Sequence, residues 1–383
     1  MNTRLLALTG LIGAGLIIGS AAQAAENSGA TIKPAHHRHH HGKKTAGMGP
    51  FQPASATAFD GIAIGETKHY KAKYEDTMVA LARANDVGYV ELLAANPGVD
   101  PWLPGRDTDM IIPKMHILPI DAPHEGIVIN LPEMRLFYYP RSGGKPYSFP
   151  IGIGREGLQT PVGQTNVRSK AKDFDWRPTP RMRAEDPTLP EVVGPGDDNP
   201  MGKYVLYLGW AEYGIHGTNK PYGIGRRSSS GCIRLYPEDI EFLWPQVPTG
   251  TKVTVVNQPI KAAWIGSKLY VEAHPTMAQA DRMEMGAPGD APTYEMSEQD
   301  MKFILRAAGP FAGQVDWVKV RQIVKERRGY PISVATRPEQ ATVTQAADKS
   351  ADEPKNEAKV EPAADSGVDT APAADEKDSD QSL

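Results

Sequence analysis

Two residues, Cys232 and His216, have side chains that together could carry out nucleophilic chemistry. Cys232 is the only cysteine among 383 residues, and His216 lies sixteen positions before it in a stretch rich in glycine and serine. A free thiol has a pKa of about 8.5, so a neighbouring imidazole is needed to make it a nucleophile at neutral pH. Gly231 lets the chain turn sharply and lets backbone N–H groups face a developing oxyanion. The pattern indicates attack on a carbonyl carbon, and the alternative is a structural thiol beside a core histidine.

The sequence around this pair resembles the active-site signature of a known family. His216-Gly217-Thr218, followed by Ser-Ser-Gly-Cys-Ile-Arg-Leu at 229–235, is similar to the signature of the L,D-transpeptidases, whose YkuD-type catalytic domain remodels bacterial peptidoglycan. Thr160-Pro161-Val162-Gly163 is a further hallmark of that domain. Ser230 replaces a histidine of many members and Arg234 replaces an asparagine, and both replacements are typical of the Gram-negative periplasmic branch.

The resemblance implies a cysteine acyltransferase that needs no cofactor. Cys232 would be the nucleophile, His216 would take up and return the proton, and backbone N–H groups around Gly231 and Cys232 would form the oxyanion hole. The carbonyl of Gly217 would orient the imidazole, with the carboxylate of Glu212 as the alternative. The residues expected to contact the substrate are Arg234, Ser229, Thr218, Tyr222 and Trp176. No sequence cluster of metal-ligand type accompanies them, so we expect no metal at the site.

The substrate that the resemblance implies is peptidoglycan. The thiolate would attack the carbonyl of meso-diaminopimelate in a tetrapeptide stem, D-alanine would leave, and an amine would accept the acyl group to form a 3-3 cross-link. Acceptance by water would make an L,D-carboxypeptidase, and acceptance by a lysine of an outer-membrane protein or lipoprotein would make an anchoring enzyme. A non-catalytic wall-binding scaffold is the alternative from another class. Arg234 either holds a substrate carboxylate by a bidentate pair or forms an internal salt bridge, and carbapenem acylation of Cys232 is also implied.

The first 24 residues have the pattern of a secretory signal. Arg4 precedes an apolar run over 5–18, and small residues end at Ala24. The run is interrupted by glycine and is shorter than the about 20 residues that span a bilayer, so we expect cleavage, export to the periplasm and no stable transmembrane anchor. An exported chain with one cysteine forms no internal disulfide, which favours a reactive thiol. The net charge of −4 gives no reason to expect nucleic-acid binding.

The next segments are predicted to be a flexible His-rich linker, 25–65, and a small compact unit, 66–119. The histidine tract of the linker is a basic spacer or a site for transition metals. In the compact unit a strand, a helix capped by Glu75-Asp76-Thr77, a second helix closed by Asn96-Pro97-Gly98 and a last strand follow one another. This order resembles a LysM domain, which implies binding to the N-acetylglucosamine-containing glycan of the wall. The alternative is a packing subdomain that binds no sugar.

Residues 124–257 are predicted to form a mainly β catalytic domain of the YkuD type, similar to a β-sandwich. β-Branched and aromatic residues predict strands at 127–131, 135–139, 148–153, 204–208 and, as a closing strand, 252–256. A short helix is predicted at 237–244. The polar, proline-rich segment 168–203 is predicted to be an ordered lid loop.

Residues 258–336 are predicted to form a short helical C-terminal appendage. Ser297 caps a first helix, and Asp316 starts a second helix that stops at Gly329. The apolar stripes expected to form its core are Met301, Ile304 and Leu305, then Val320, Ile323 and Val324. Segment 337–383 has no aromatic residue and is dominated by Ala, Pro, Asp and Glu, so we predict a disordered acidic tail.

Overall fold

The computed structural model describes residues 61–286 and 294–338. The predicted signal sequence (1–24), nearly all of the predicted linker (25–65) and nearly all of the predicted acidic tail (337–383) lie outside the described residues. Within the described part, no helix combines the length and apolar character needed to cross a bilayer.

The N-terminal region, residues 63–117, contains two short helices between strands. Its elements are β1 (Ala63–Ile64), β2 (Lys68–Lys71), α1 (Met78–Ala84), α2 (Tyr89–Ala95), β3 (Asp109–Ile112) and β4 (His116–Ile117). β2 and β3 pair antiparallel, and the Thr77 side chain accepts a hydrogen bond from the Ala80 N–H at the start of α1. The strand–helix–helix–strand order is as predicted, and β1 with β4 adds an antiparallel pair that was not predicted.

The central domain, residues 126–256, is built on one large sheet. Its elements are β5 (Gly126–Asn130), β6 (Arg135–Tyr139), β7 (Tyr147–Pro150), β8 (Ile153–Gly154), β9 (Gly163–Lys172), α3 (Pro180–Glu185), β10 (Tyr204–Leu208), β11 (Gly214–His216), β12 (Arg227–Ser229), β13 (Ile233–Arg234), α4 (Pro237–Gln246) and β14 (Lys252–Val256). The eight strands of the sheet follow the order β13-β11-β10-β9-β14-β5-β6-β7, and β8 pairs with β12 separately. The prediction of a mainly β domain is confirmed, with one large and one small sheet in place of two comparable ones.

Strand β14 lies in the middle of the large sheet, although it comes last in the domain. It runs parallel to β5 and antiparallel to β9. Its Val253 and Val255 are buried, which favours a position with a neighbour on each side. The last strand of the domain therefore inserts between β9 and β5. The strand predicted to close the domain lies inside the sheet and not at its edge.

The strand predicted at 148–153 is split into β7 and β8. At the break, the N–H and carbonyl groups of Gly152 pair with Arg234 (2.8 and 2.9 Å). A Cβ at Gly152 would lie 2.7 Å from the carbonyl oxygen of Gly223, so the two segments approach too closely for any other residue. The chain thus leaves the large sheet at this point and turns toward the segment that carries Cys232.

The predicted lid loop, 168–203, also contains regular structure. Its first residues extend β9 to Lys172, and α3 lies within it because the Thr179 side chain accepts from the Met182 N–H. The irregular part is therefore shorter than predicted. We call residues 173–203 the lid segment.

The C-terminal region, residues 260–336, is an α+β unit, so the prediction of a helical appendage is wrong. Its elements are β15 (Ile260–Ile265), β16 (Lys268–Ala273), α5 (Met277–Glu284), α6 (Glu298–Ala308), α7 (Trp317–Glu326) and β17 (Ile332–Thr336). The strands form an antiparallel sheet in the order β15-β16-β17, and α6 and α7 pack on it. The first strand was missed because its sequence, Ile-Lys-Ala-Ala-Trp-Ile, lacks the apolar–polar alternation that predicts a strand.

The core faces of the two predicted helices differ in part from the prediction. In α6, Ile304 and Ala308 are buried, whereas Met301 and Leu305 are 37% and 36% exposed. In α7 the predicted stripe is buried. The left-handed residue that ends α7 is Arg327 (φ 49°), because its guanidinium is held by the carbonyl oxygen of His274 (2.7 Å).

A buried lysine joins the three parts of the chain. Lys261 of the C-terminal region places Nζ 2.8 Å from Glu133 of the central domain and 3.0 Å from Glu272. It also donates to the carbonyl oxygen of Ile117 in the N-terminal region (2.5 Å). Buried charges are tolerated when they are paired and hydrogen-bonded, so this contact set holds the three parts in one arrangement.

Candidate active site

Two parallel strands bring His216 and Cys232 to the same edge of the large sheet. His216 ends β11 and lies opposite Arg234 of β13, and Cys232 directly precedes β13. β13 is the edge strand. Because parallel strands need a long connection, the segment between them is free to form the loop that carries the nucleophile.

The turn before Cys232 is fixed by neighbouring hydroxyl groups. Ser229 Oγ donates to the Cys232 carbonyl oxygen (2.6 Å) and accepts from the Gly231 N–H (3.1 Å). Thr160 Oγ1 donates to the Gly231 carbonyl oxygen (2.8 Å). Gly231 has a φ of 111°, and a Cβ there would lie 2.8 Å from the Tyr213 ring. Ser229 is therefore a buried turn residue and not the predicted substrate contact, and the Gly231 N–H is engaged by Ser229 instead of facing an oxyanion.

The surroundings of the Cys232 thiol favour its protonated form. It donates to the carbonyl oxygen of Glu212 (3.5 Å), a residue in the left-handed conformation with a φ of 66°. Burial raises the pKa of the thiol, and the Gly214 N–H and the Arg234 charge offset part of that rise. The thiol therefore needs a base at the moment of attack.

The His216 imidazole is buried and neutral. Its Nδ1 lies 2.6 Å from the carbonyl oxygen of Gly217, and because a carbonyl only accepts, this contact assigns the proton to Nδ1 and the lone pair to Nε2. Burial, and then the charge of Arg234, lower the pKa of His216 to about 4. Hydrogen bonds to the carbonyl groups of Gly217 and Met201 raise this pKa and offset part of the decrease. The Gly217 carbonyl makes the contact that was expected to orient the imidazole. Glu212, the alternative, contacts the Cys232 thiol through its backbone carbonyl.

A cavity of about 330 Å³ opens onto Cys232. Side chains of the lid segment and of the β10–β11 turn line it, among them Phe174, Trp176, Met182, Trp210 and Tyr213. The backbones of Trp176 and Val193 exchange two hydrogen bonds (2.8 and 2.9 Å), which ties the lid segment to itself. Such a pocket can hold a peptide and reduce the access of water to the thiol.

Of the remaining predicted substrate contacts, Trp176 lines this cavity, whereas Thr218 and Tyr222 do not. Thr218 is buried and its Oγ1 accepts from the Lys220 N–H (2.9 Å), so it stabilises a turn. Tyr222 is 57% exposed and also lies outside the lining. Hydrogen-bonding side chains near a motif are thus used to build its loop as well as to bind ligands.

Sequence reasoning missed Trp210 and Tyr213, which line the cavity from the turn before His216. Their signal was available in the run Gly-Trp-Ala-Glu-Tyr-Gly at 209–214. Large aromatic residues in a short turn are not part of a strand that could bury them in the core. Beside a predicted base, they therefore indicate residues that line a binding pocket.

Arg234 supplies positive charge without a carboxylate partner. Among residues 61–286 and 294–338, no carboxylate lies within ion-pair distance of it, so the internal salt bridge is excluded for this part of the chain. Its Nη1 lies 3.5 Å from the Ser228 carbonyl oxygen, and the side chain is outside the lining of the Cys232 cavity. Its effect on the site is electrostatic, since it lowers the pKa of both His216 and Cys232.

One described set of side chains has the composition of a metal site. The ligand atoms of His116, Glu133 and Glu272 lie within 4.8 Å of one another and are buried. Lys261 already bonds both carboxylates (2.8 and 3.0 Å), so the cation that this set holds is an ammonium group.

Comparison with known proteins places this arrangement in a family. The model of the L,D-transpeptidase catalytic domain matches residues 124–255. The "Probable L,D-transpeptidase YbiS" of Escherichia coli K12 is 42% identical over 255 residues, which cover 64% of this chain and 79% of that protein. The chain belongs to the L,D-transpeptidase family. It is therefore an enzyme of that class.

A second relative from Escherichia coli agrees with this assignment. The "Probable L,D-transpeptidase YcfS" of Escherichia coli K12 is 44% identical over 229 residues, which cover 56% of this chain and 70% of that protein. The NMR structure of the catalytic domain from the E. faecium L,D-transpeptidase matches at 26% identity over 34% of this chain and 96% of that chain. The TM-score of this match is 0.28.

We predict that Arg234→Gln raises the pKa of the Cys232 thiol, because the arginine charge lowers that pKa in the wild-type enzyme. The pH dependence of Cys232 alkylation by iodoacetamide, followed by intact-mass spectrometry, measures the pKa, and its midpoint should move to higher pH. Arg321→Gln on α7 is the control, since Arg321 is exposed. An unchanged midpoint for Arg234→Gln would contradict the electrostatic role.

Proposed function

We propose that the enzyme uses Cys232 to cleave the bond between meso-diaminopimelate and the terminal D-alanine of a peptidoglycan tetrapeptide stem, and then transfers the acyl group to an amine. The observation that supports this is the neutral imidazole of His216, whose Nδ1 is engaged by the Gly217 carbonyl (2.6 Å). Its Nε2 is thereby kept as the proton acceptor on the strand next to the thiol. General-base activation requires a neutral base that can reach a protonated nucleophile, and the pairing of β11 with β13 brings the two residues to the same edge of the sheet.

The reaction has two half-reactions. In the first, the bond from Sγ to the carbonyl carbon forms and the C–N bond to D-alanine breaks, while the thiol proton passes to His216 and then to the departing amine. In the second, the acceptor amine attacks the thioester carbonyl and gives a proton to His216. The C–S bond then breaks, and the thiolate of Cys232 recovers the proton.

The surroundings of the thiol favour transfer over hydrolysis. The aromatic rings of Trp176 and Trp210 line the cavity, so a bound acceptor peptide displaces water from the thioester. Since the Gly231 N–H is engaged by Ser229, we assign the oxyanion contact to the Cys232 N–H. We further propose that the enzyme is exported and acts on the cell wall in the periplasm.

A mass-spectrometric product assay tests this function. Wild-type enzyme with a disaccharide-tetrapeptide ending in D-alanine should release D-alanine and form a cross-linked dimer. Cys232→Ala should form neither product. Release without a dimer would assign water or a protein lysine as the acceptor, and a folded wild-type enzyme that leaves the substrate intact would favour a wall-binding scaffold.

We also propose that the N-terminal region binds the glycan of the wall. Tyr74, Trp102 and Leu103 are 72%, 68% and 59% exposed, on the loops that follow β2 and α2. The two loops meet where the Met78 N–H donates to the Pro101 carbonyl oxygen (2.8 Å). Exposed aromatic rings on adjoining loops present flat apolar surfaces on which sugar rings can stack.

Replacement of Trp102 by alanine should weaken co-sedimentation of the enzyme with insoluble peptidoglycan, because the variant lacks one exposed ring. The rate of D-alanine release from a soluble fragment should remain that of the wild type. Val318→Ala is the matched control, since Val318 is equally exposed (71%) on α7. Equal sedimentation of the two variants would contradict the glycan site.

A further inference from the structure

The loop that leads to the nucleophile is contacted by the C-terminal region. We call residues 221–229 the nucleophile loop. Within it, the buried Arg227 side chain forms an ion pair with Asp281 of α5 and lies 3.4 Å from the Met277 carbonyl oxygen. The neighbouring Arg226 pairs with Glu284 of the same helix (3.1 Å). One helix thus supplies a carboxylate to each of two consecutive arginines.

The N-terminal region also contacts the nucleophile loop. The Tyr89 and Val90 N–H groups at the start of α2 donate to the carbonyl oxygens of Ile224 and Gly225 (3.4 and 3.1 Å). A Cβ at Gly225 would lie 2.2 Å from the Tyr89 nitrogen, so the approach requires glycine. The Arg226 guanidinium lies 3.6 Å from the Tyr89 ring centroid. The loop is therefore held by contacts with both α2 and α5.

A short path of contacts connects this support to the nucleophile. Arg227 begins β12 and Ser229 ends it, and both pair with β8. Ser229 Oγ in turn bonds the Cys232 carbonyl oxygen (2.6 Å) and the Gly231 N–H (3.1 Å). A displacement of Arg227 would therefore be transmitted through Ser229, two residues further on, to the turn that carries Cys232.

We propose that Asp281, assisted by Glu284, is a positioning residue that holds the nucleophile loop through Arg227 and Arg226 and thereby sets the placement of the Cys232 thiol. The Arg227 side chain is 6% exposed, so its ion pair is screened less than a surface pair. α5 lies outside residues 124–255, which the family model matches, so this gives the C-terminal region a part in the reaction. The inference rests on the proposed role of Cys232 as the nucleophile.

Single-turnover acylation of Cys232 by a carbapenem, followed by intact-mass spectrometry, tests the proposal in the full chain. Asp281→Asn keeps the shape of the side chain and removes its charge, and we expect it to lower the acylation rate constant by about 10- to 100-fold, since misplacement of a reacting group by about 1 Å has effects of that size. The final extent should remain one adduct per chain. Asp281→Glu should restore most of the rate.

Glu298→Gln is the control, because the Glu298–Lys302 pair (2.6 Å) is exposed on α6, and it should acylate at the wild-type rate. A wild-type rate constant for Asp281→Asn would overturn the inference, and so would an unchanged rate constant with a lower final extent, which is the signature of a folding defect. Absence of acylation in the wild-type enzyme would instead refute the proposed function and, with it, this inference.

Discussion

The active site depends on the parallel pairing of β11 with β13 at the edge of the large sheet. This pairing sets His216 opposite Arg234 and places Cys232 one residue before the strand. A parallel pair cannot be closed by a tight turn, so the intervening segment must leave the sheet and return. Within that segment β12 pairs with β8, and α2 and α5 supply further contacts that fix its position.

The environments of His216 and Cys232 favour their neutral forms. His216 is buried and Cys232 is partly buried, so an imidazolium and a thiolate would both lose hydration, and the pKa of His216 is lowered while that of Cys232 is raised. Arg234 lowers both pKa values, which makes the thiolate easier to form and the imidazolium harder to form. In the proposed mechanism the proton is transferred when a substrate carbonyl is in place, and the enzyme without substrate exposes little thiolate to oxidation.

Local patterns in the sequence predicted much of the fold, and a family resemblance indicated the Cys232–His216 pair. The cap of α1 and the paired strands β5 and β6 depend on spacing within short segments. The uses of Ser229 and Thr218 could not be predicted, because the direction of a hydroxyl depends on the path of its loop. Arg227 and Asp281 lie far apart in sequence, and no local period connects them. The central place of β14 likewise depends on long-range strand pairing.

The central claim is that the acyl group passes through a thioester on Cys232, and trapping that intermediate tests it most directly. Reduced enzyme is mixed with the disaccharide-tetrapeptide, quenched in acid and analysed by intact-mass and peptide mass spectrometry. The account predicts an adduct equal to the substrate without its D-alanine, on the peptide that contains Cys232 and removable by hydroxylamine. Release of D-alanine with no adduct on Cys232, or with the acyl group on another residue, would contradict the account.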